Sequence, residues 1–179
     1  MISTEKVAEI VRDLYGLSGS ASALGSCQDI NFKFTTSNEH KALAKSYVVK
    51  FTNTSVCTVP EIEFQHAVIE YLHACKECTD IALPLPLVKG EMYRNSPSST
   101  DNDCISEVEV DGNRYFVRLL TYVDGIILSE FTYFSPDVLH SFGAFVGSIS
   151  KSLIGFQTYL STKPHLRAVA NREIEWYVE

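Results

Sequence analysis

Residues 46–72, SYVVKFTNTSVCTVPEIEFQHAVIEYL, change hydrophobic period within one turn, and that change restricts the fold more than any other feature of the chain. Tyr47-Val48-Val49-Lys50-Phe51 is apolar on both sides of its alternation, the pattern of a covered central strand. Thr58-Val59-Pro60-Glu61 then offers capping-box spacing, with proline near the first helical position. Beyond it Phe64, Val68, Ile69, Tyr71, Leu72 and Cys75 fall on one arc of a helix. A cation, Lys50, and a carboxylate, Glu63, are thus carried on consecutive elements.

The flanking segments extend this into an α+β pattern. Ser3 or Thr4 caps a first helix with Val7, Ile10, Val11 and Leu14 at helical spacing, and Gly16 stops it. Two short strands follow around a small-residue loop from Gly25 to Ile30, the second strand covering Asn31 to Thr36. Gly16, Gly19 and Gly25 are not followed by Gly-Lys-Ser/Thr, so they make no Walker A loop and read as turn chemistry. Residues 38–45 read as a hairpin connection, residues 82–87 (ALPLPL) as an extended link, and residues 90–103 as a polar, mobile loop. Asp111-Gly112 marks a hairpin between two strands. After Asp124-Gly125 the pattern turns helical: Ser135-Pro136-Asp137 starts a helix whose stripe of Val138, Leu139, Phe142, Phe145, Val146, Ile149 and Leu153 reads as core. The tail from His165 to Glu179, with Trp176, reads as a charged helical stretch. The boundary is placed between a mixed domain, residues 1–123, and a helical portion, residues 124–179.

Composition excludes several function classes. A net charge of −7 argues against a sequence-independent nucleic-acid surface, which needs clustered Lys and Arg. No apolar run reaches the length of a signal peptide or a membrane span, and five cysteines make an odd count, so a reduced, cytoplasmic setting is expected. Cys75 and Cys78, with His66 and His73 nearby, lack a second ligand pair, so no metal site is assigned. Arg114 and Arg118 alternate with apolar residues and read as solvent-facing, and Glu107 and Glu109 read as a wet hairpin surface. Taken alone, a strand lysine such as Lys50 is more often an edge residue reaching for water, but its apolar neighbours weigh against an edge.

In order, the helix, the strand pair, YVVKFTN, IEFQHAVIEYL, the proline-rich link and YFVRLLTYVDG resemble the aminoglycoside phosphotransferase and choline kinase-like family. Within that family the resemblance is to its hydroxylysine kinase members. It rests on Gln28 to Phe32 against their Gln-Asn-Phe, Tyr47 to Thr54 against YVLKISNT, Val117 to Gly125 against VRLLTYLPG, and the segment around Trp176. The resemblance implies a kinase-like N-lobe, an antiparallel sheet plus one packed helix, followed by the first helices of a truncated helical C-lobe. It implies that Lys50 contacts the nucleotide phosphates and that Glu63 holds Lys50. It further implies that Ser26, Cys27, Gln28, Asp29 and Ile30 cover the phosphates through backbone N–H groups, and that Thr121, Tyr122 and Val123 form the hinge that meets the base. The implied reaction moves a phosphoryl group from GTP, or ATP, with Mg2+ to the hydroxyl of 5-hydroxylysine or a similar amino-alcohol.

One departure bears on chemistry. None of His40, His66, His73, His140 or His165 is followed two positions later by aspartate, so the family's His-x-Asp catalytic loop is absent and no catalytic residue is assigned. The chain is read as an N-terminal portion, inactive alone, with the Mg2+ ligands in the missing part. The alternatives are a kinase for homoserine, choline or an aminoglycoside, and a non-catalytic nucleotide-binding or protein-interaction module with a partner chain over the Val138–Leu153 stripe.

Overall fold

The computed structural model describes residues 2–26, 28–37, 44–75, 84, 104–127, 130 and 132–170. The expectations for Cys27, for most of the 38–45 connection, for the proline-rich link other than Pro84, for the 90–103 loop and for the Trp176 segment lie outside these residues. The chain divides into two compact units, Met1–Glu63 with Pro84–Tyr122 and Phe64–Leu83 with Val123–Glu179.

The first unit is an antiparallel sheet of five strands in the order β1-β2-β3-β5-β4. The strands are β1 (Gly19–Leu24), β2 (Ile30–Thr36), β3 (Ser46–Asn53), β4 (Ser106–Val110) and β5 (Asn113–Thr121). Helix α1 (Thr4–Tyr15) precedes them and packs on β1 and β2. The expected start and stop of α1 are those observed: the Ser3 side chain accepts from the Lys6 N–H, and Gly16 closes the helix at φ 68°, where a side chain would be strained. Val7, Ile10, Val11 and Tyr15 of α1 join Phe32, Phe34, Tyr47, Val49, Phe51, Val117 and Leu119 in one buried cluster. Burying a side chain of this kind stabilises by roughly 1.5–3 kcal/mol.

The β4–β5 hairpin turns at Asp111-Gly112, both at positive φ (51° and 74°), as the Asp-Gly pair predicts. Its register sets Glu107 against Phe116 and Val108 against Tyr115. Glu107, Glu109 and Arg114 are exposed as expected, with Arg114 paired to Glu107 at 3.0 Å.

Helix α2 (Val59–Ala74) begins in the first unit and continues in the second. Its start uses half of the expected capping box: Glu61 Oε2 accepts from the Thr58 N–H at 2.6 Å and from the Thr58 hydroxyl at 2.9 Å. In the second unit Phe64, Ala67, Val68 and Tyr71 of α2 pack with Phe156 and Leu160 of a short helix, α4 (Phe156–Leu160), and with Leu166. The Tyr71 hydroxyl donates to the Ser152 carbonyl at 3.0 Å, and Lys163 pairs with Glu70 at 3.2 Å.

Helix α3 (Pro136–Leu153) starts as expected, with Ser135 accepting from the Val138 N–H. Its stripe corrects the core reading: Leu139, Phe142, Phe145 and Val146 are 43–56% exposed. Helical spacing gathers these residues on one face, but periodicity says nothing about whether another element lies against that face.

The architecture is therefore the expected α+β one, an antiparallel sheet with a packed helix, and helices beyond it.

Candidate functional site

Strand alternation decides what each face of the sheet can do. On β3, Tyr47, Val49 and Phe51 point into the core with α1, so Val48, Lys50 and Thr52 occupy the opposite face. The register sets Asn31 of β2 and Arg118 of β5 on either side of Lys50, and Lys33 two residues from Asn31 on the same face. Three cations, Lys33, Lys50 and Arg118, therefore share one face of one sheet in a chain whose net charge is −7. β3 is the middle strand, so Lys50 is no edge residue.

Asp29 sits at the end of the β1–β2 loop, one residue before the Ile30–Phe51 pair. Its Oδ2 lies 2.9 Å from Lys50 Nζ and 3.5 Å from Arg118 Nη2, and its Oδ1 accepts from the Thr52 hydroxyl at 2.8 Å. Partial burial opposes ionisation of Asp29. The hydrogen bonds from Lys50 and Thr52 and the charges of Lys50 and Arg118 outweigh it, and hold its pKa below the ordinary aspartate value. The pKa of Arg118 is also lowered, chiefly by burial, against the opposing charge of Asp29.

Two readings change here. Arg118, expected to face solvent, is 3% exposed, on β5 opposite Lys50 and with the Asp29 carboxylate against its guanidinium. Lys50, expected to be held by Glu63, forms its ion pair with Asp29; Glu63 is itself buried on α2. The geometric reason is local: Asp29 extends β2 on the same face as Asn31, the residue directly opposite Lys50.

The remaining expected residues fall as follows. Ser26 and Gln28 are exposed in the β1–β2 loop, and Ile30 is at the exposed start of β2. Thr121 closes β5, and the Tyr122 N–H donates to the Ser46 carbonyl at 3.0 Å, which commits that donor to the sheet. Lys33 Nζ lies 3.9 Å from the centre of the Tyr122 ring, a cation–π contact on the face that carries Lys50. Val123 is exposed and belongs to the other unit. Arg118, Lys33 and Thr52 share this face with Lys50, a placement that the sequence reading passed over. The adjacent apolar pair Leu119-Leu120 was the signal for Arg118, since it breaks alternation and implies cover on both faces of β5. Among the described residues, no group of three His, Cys, Asp or Glu side chains is placed to hold a metal ion.

Chemically, the face offers two primary ammonium groups, one guanidinium and one hydroxyl beneath a small-residue loop. It is a cationic surface that one internal carboxylate engages.

Over 177 residues, 98% of its length, the chain is 26% identical to hydroxylysine kinase of Danio rerio, and it spans 44% of that protein. A solved structure of amicoumacin kinase hAmiN in complex with AMP-PNP, Ca2+ and Ami superposes with a TM-score of 0.48 at 16% identity, covering 69% of this chain and 32% of that one. No protein-family model matches the chain. Among the described residues, no helix is long and apolar enough to cross a membrane.

Proposed function

We propose that this chain forms the nucleotide-binding portion of a phosphotransferase that moves the terminal phosphoryl group of GTP or ATP to the hydroxyl of 5-hydroxylysine or a similar small amino-alcohol. The observation that carries the reading is Lys50, a cation on the middle strand whose ammonium is engaged by an anion at 2.9 Å, with Arg118 beside it across the register. In phosphoryl transfer the protein mostly positions groups and neutralises charge, and a strand-borne lysine over the phosphates is a recurring part of that work. The acceptor is proposed by analogy with hydroxylysine kinase, to which 98% of this chain is similar at 26% identity.

In this reading Lys50 and Arg118 meet the phosphates, Ser26 and Gln28 border them from the β1–β2 loop, and Thr121 to Val123 border the base. Mg2+ neutralises the phosphates when bound, held by residues other than this cluster. In this reading, with no His-x-Asp in the sequence, the chain by itself is expected to bind nucleotide weakly at best and not to turn it over. The test is a thermal shift with GTP-Mg2+ and with ATP-Mg2+ on the wild-type chain and on Lys50→Met. Stabilisation of the wild type that disappears in the variant is expected, and equal shifts in both would remove Lys50 from the phosphate site.

A second reading, a non-catalytic interaction module, is favoured by the exposed apolar face of α3 at Leu139, Phe142, Phe145 and Val146. Sedimentation of the isolated chain decides it: a strictly monomeric species with no dye-accessible apolar surface counts against it.

A further inference from the structure

We infer that Lys50 and Arg118 form a two-cation clamp for a single phosphate, and that the Asp29 carboxylate is the clamp's built-in occupant, which a nucleotide phosphate must displace. The inference rests on the nucleotide-binding reading and adds to it a second phosphate-binding residue, Arg118, and an internal competitor.

One oxygen, Asp29 Oδ2, is approached by both cations, at 2.9 Å from Lys50 Nζ and 3.5 Å from Arg118 Nη2. A non-bridging phosphate oxygen takes up the same kind of position between a lysine and an arginine, and accepts the same charge-assisted hydrogen bonds. The second oxygen is fixed by the Thr52 hydroxyl at 2.8 Å, so the carboxylate is held at both ends rather than resting loosely against a lysine. Thr52 and Arg118 are buried and Lys50 is part-exposed, so the clamp has one wall inside the sheet and one towards solvent. Arg118 is held at this point by β5, and its register opposite Lys50 sets the spacing of the two cations. Asp29, by contrast, sits in the β1–β2 loop outside the β1–β2 ladder. Among the described loop residues at positions 25, 26, 28 and 29, it alone ties a side chain to the sheet. The cations are thus carried on paired strands, and their anion on the loop that joins β1 to β2.

An internal competitor lowers apparent affinity by the fraction of molecules in which it occupies the site. The experiment is calorimetric titration of the full chain with inorganic tripolyphosphate, comparing wild type, Asp29→Asn, Thr52→Val, Arg118→Gln and Lys50→Met. Asp29→Asn is expected to bind roughly tenfold tighter than wild type. Thr52→Val, which changes no charge and only loosens the carboxylate, is expected to bind a few-fold tighter. Arg118→Gln and Lys50→Met are expected to bind weaker. In parallel, the side-chain carboxyl carbon resonance of Asp29 in the wild type is expected to move on titration with tripolyphosphate.

Asp29→Asn tighter with Thr52→Val unchanged would mean that only the local charge matters, and would overturn displacement. An unmoved Asp29 resonance, or Asp29→Asn binding no tighter than wild type, would also overturn it; the nucleotide site itself stands in those cases if Lys50→Met still loses binding. Should none of the chains, wild type included, bind tripolyphosphate, the clamp and the nucleotide reading fall together.

Discussion

The Thr52 hydroxyl donates to Asp29 Oδ1 over 2.8 Å, and this contact leaves the carboxylate's other oxygen for Lys50 and Arg118. A buried guanidinium, a half-buried ammonium and a buried hydroxyl therefore converge on one acid. The cluster matters to stability as well as to binding, since a buried cation deprived of its anion is costly.

Asp29→Ala removes that anion. It is expected to destabilise the chain by about 2–4 kcal/mol in urea unfolding at neutral pH. The folded-state pKa of Asp29 lies below its ordinary value of 3.8, so its contribution is complete above that value and is lost as pH falls through the lower, folded value. The difference between wild type and Asp29→Ala is thus constant from neutral pH down to about pH 5 and shrinks below pH 4. A difference that grows in acid would contradict the ion pairing.

Cys57 carries a thiol whose pKa is pushed up to about 11, first by burial and then by the Glu61 carboxylate. Only the thiolate is nucleophilic, so alkylation of Cys57 by iodoacetamide at pH 8 is expected to be slower than that of an unperturbed thiol. An acid that keeps its proton better when folded destabilises the fold once the unfolded thiol ionises. Stability should therefore fall between pH 9 and pH 11, and Cys57→Ser should flatten that part of the profile.

Gly19 opens β1 directly against β2, and a Cβ there would collide with the Thr35 carbonyl oxygen. Because the obstacle is backbone in a paired strand, it cannot rotate away. Gly19→Ala is expected to cost about 1–3 kcal/mol in denaturant unfolding. A neutral result would show that β1 can shift on β2 without penalty.

Phe142 and Phe145 are 49% and 43% exposed on α3. Their joint replacement by glutamate, a good helix former, is expected to change stability by no more than about 1 kcal/mol. The same double variant is expected to lose most of the wild-type chain's anilinonaphthalene sulfonate fluorescence. A large loss of stability with no change in dye binding would place this face inside the fold.

Much of the local structure was legible in the residues themselves. Ser3 and Gly16 bound α1, Asp111-Gly112 set the hairpin, Ser135 started α3, and the apolar run around Lys50 announced the middle strand. These are short-range effects, in which a cap, a left-handed glycine or an alternation acts within a few residues of its cause. The identity of Lys50's partner was not legible, because it depends on which residue of β2 lies opposite which residue of β3. A one-residue slip of that register would move every side chain to the other face. Arg118 shows the same limit from the other side. Its place beside Lys50 comes from the pairing of β5 with β3, a strand far from it in sequence, and the stripe on α3 stands exposed for want of cover that periodicity cannot report. The sequence alone determined the elements, their ends and the position of one lysine. Long-range pairing decided the rest, because only when β2, β3 and β5 lie side by side do Lys50, Thr52 and Arg118 come within reach of Asp29.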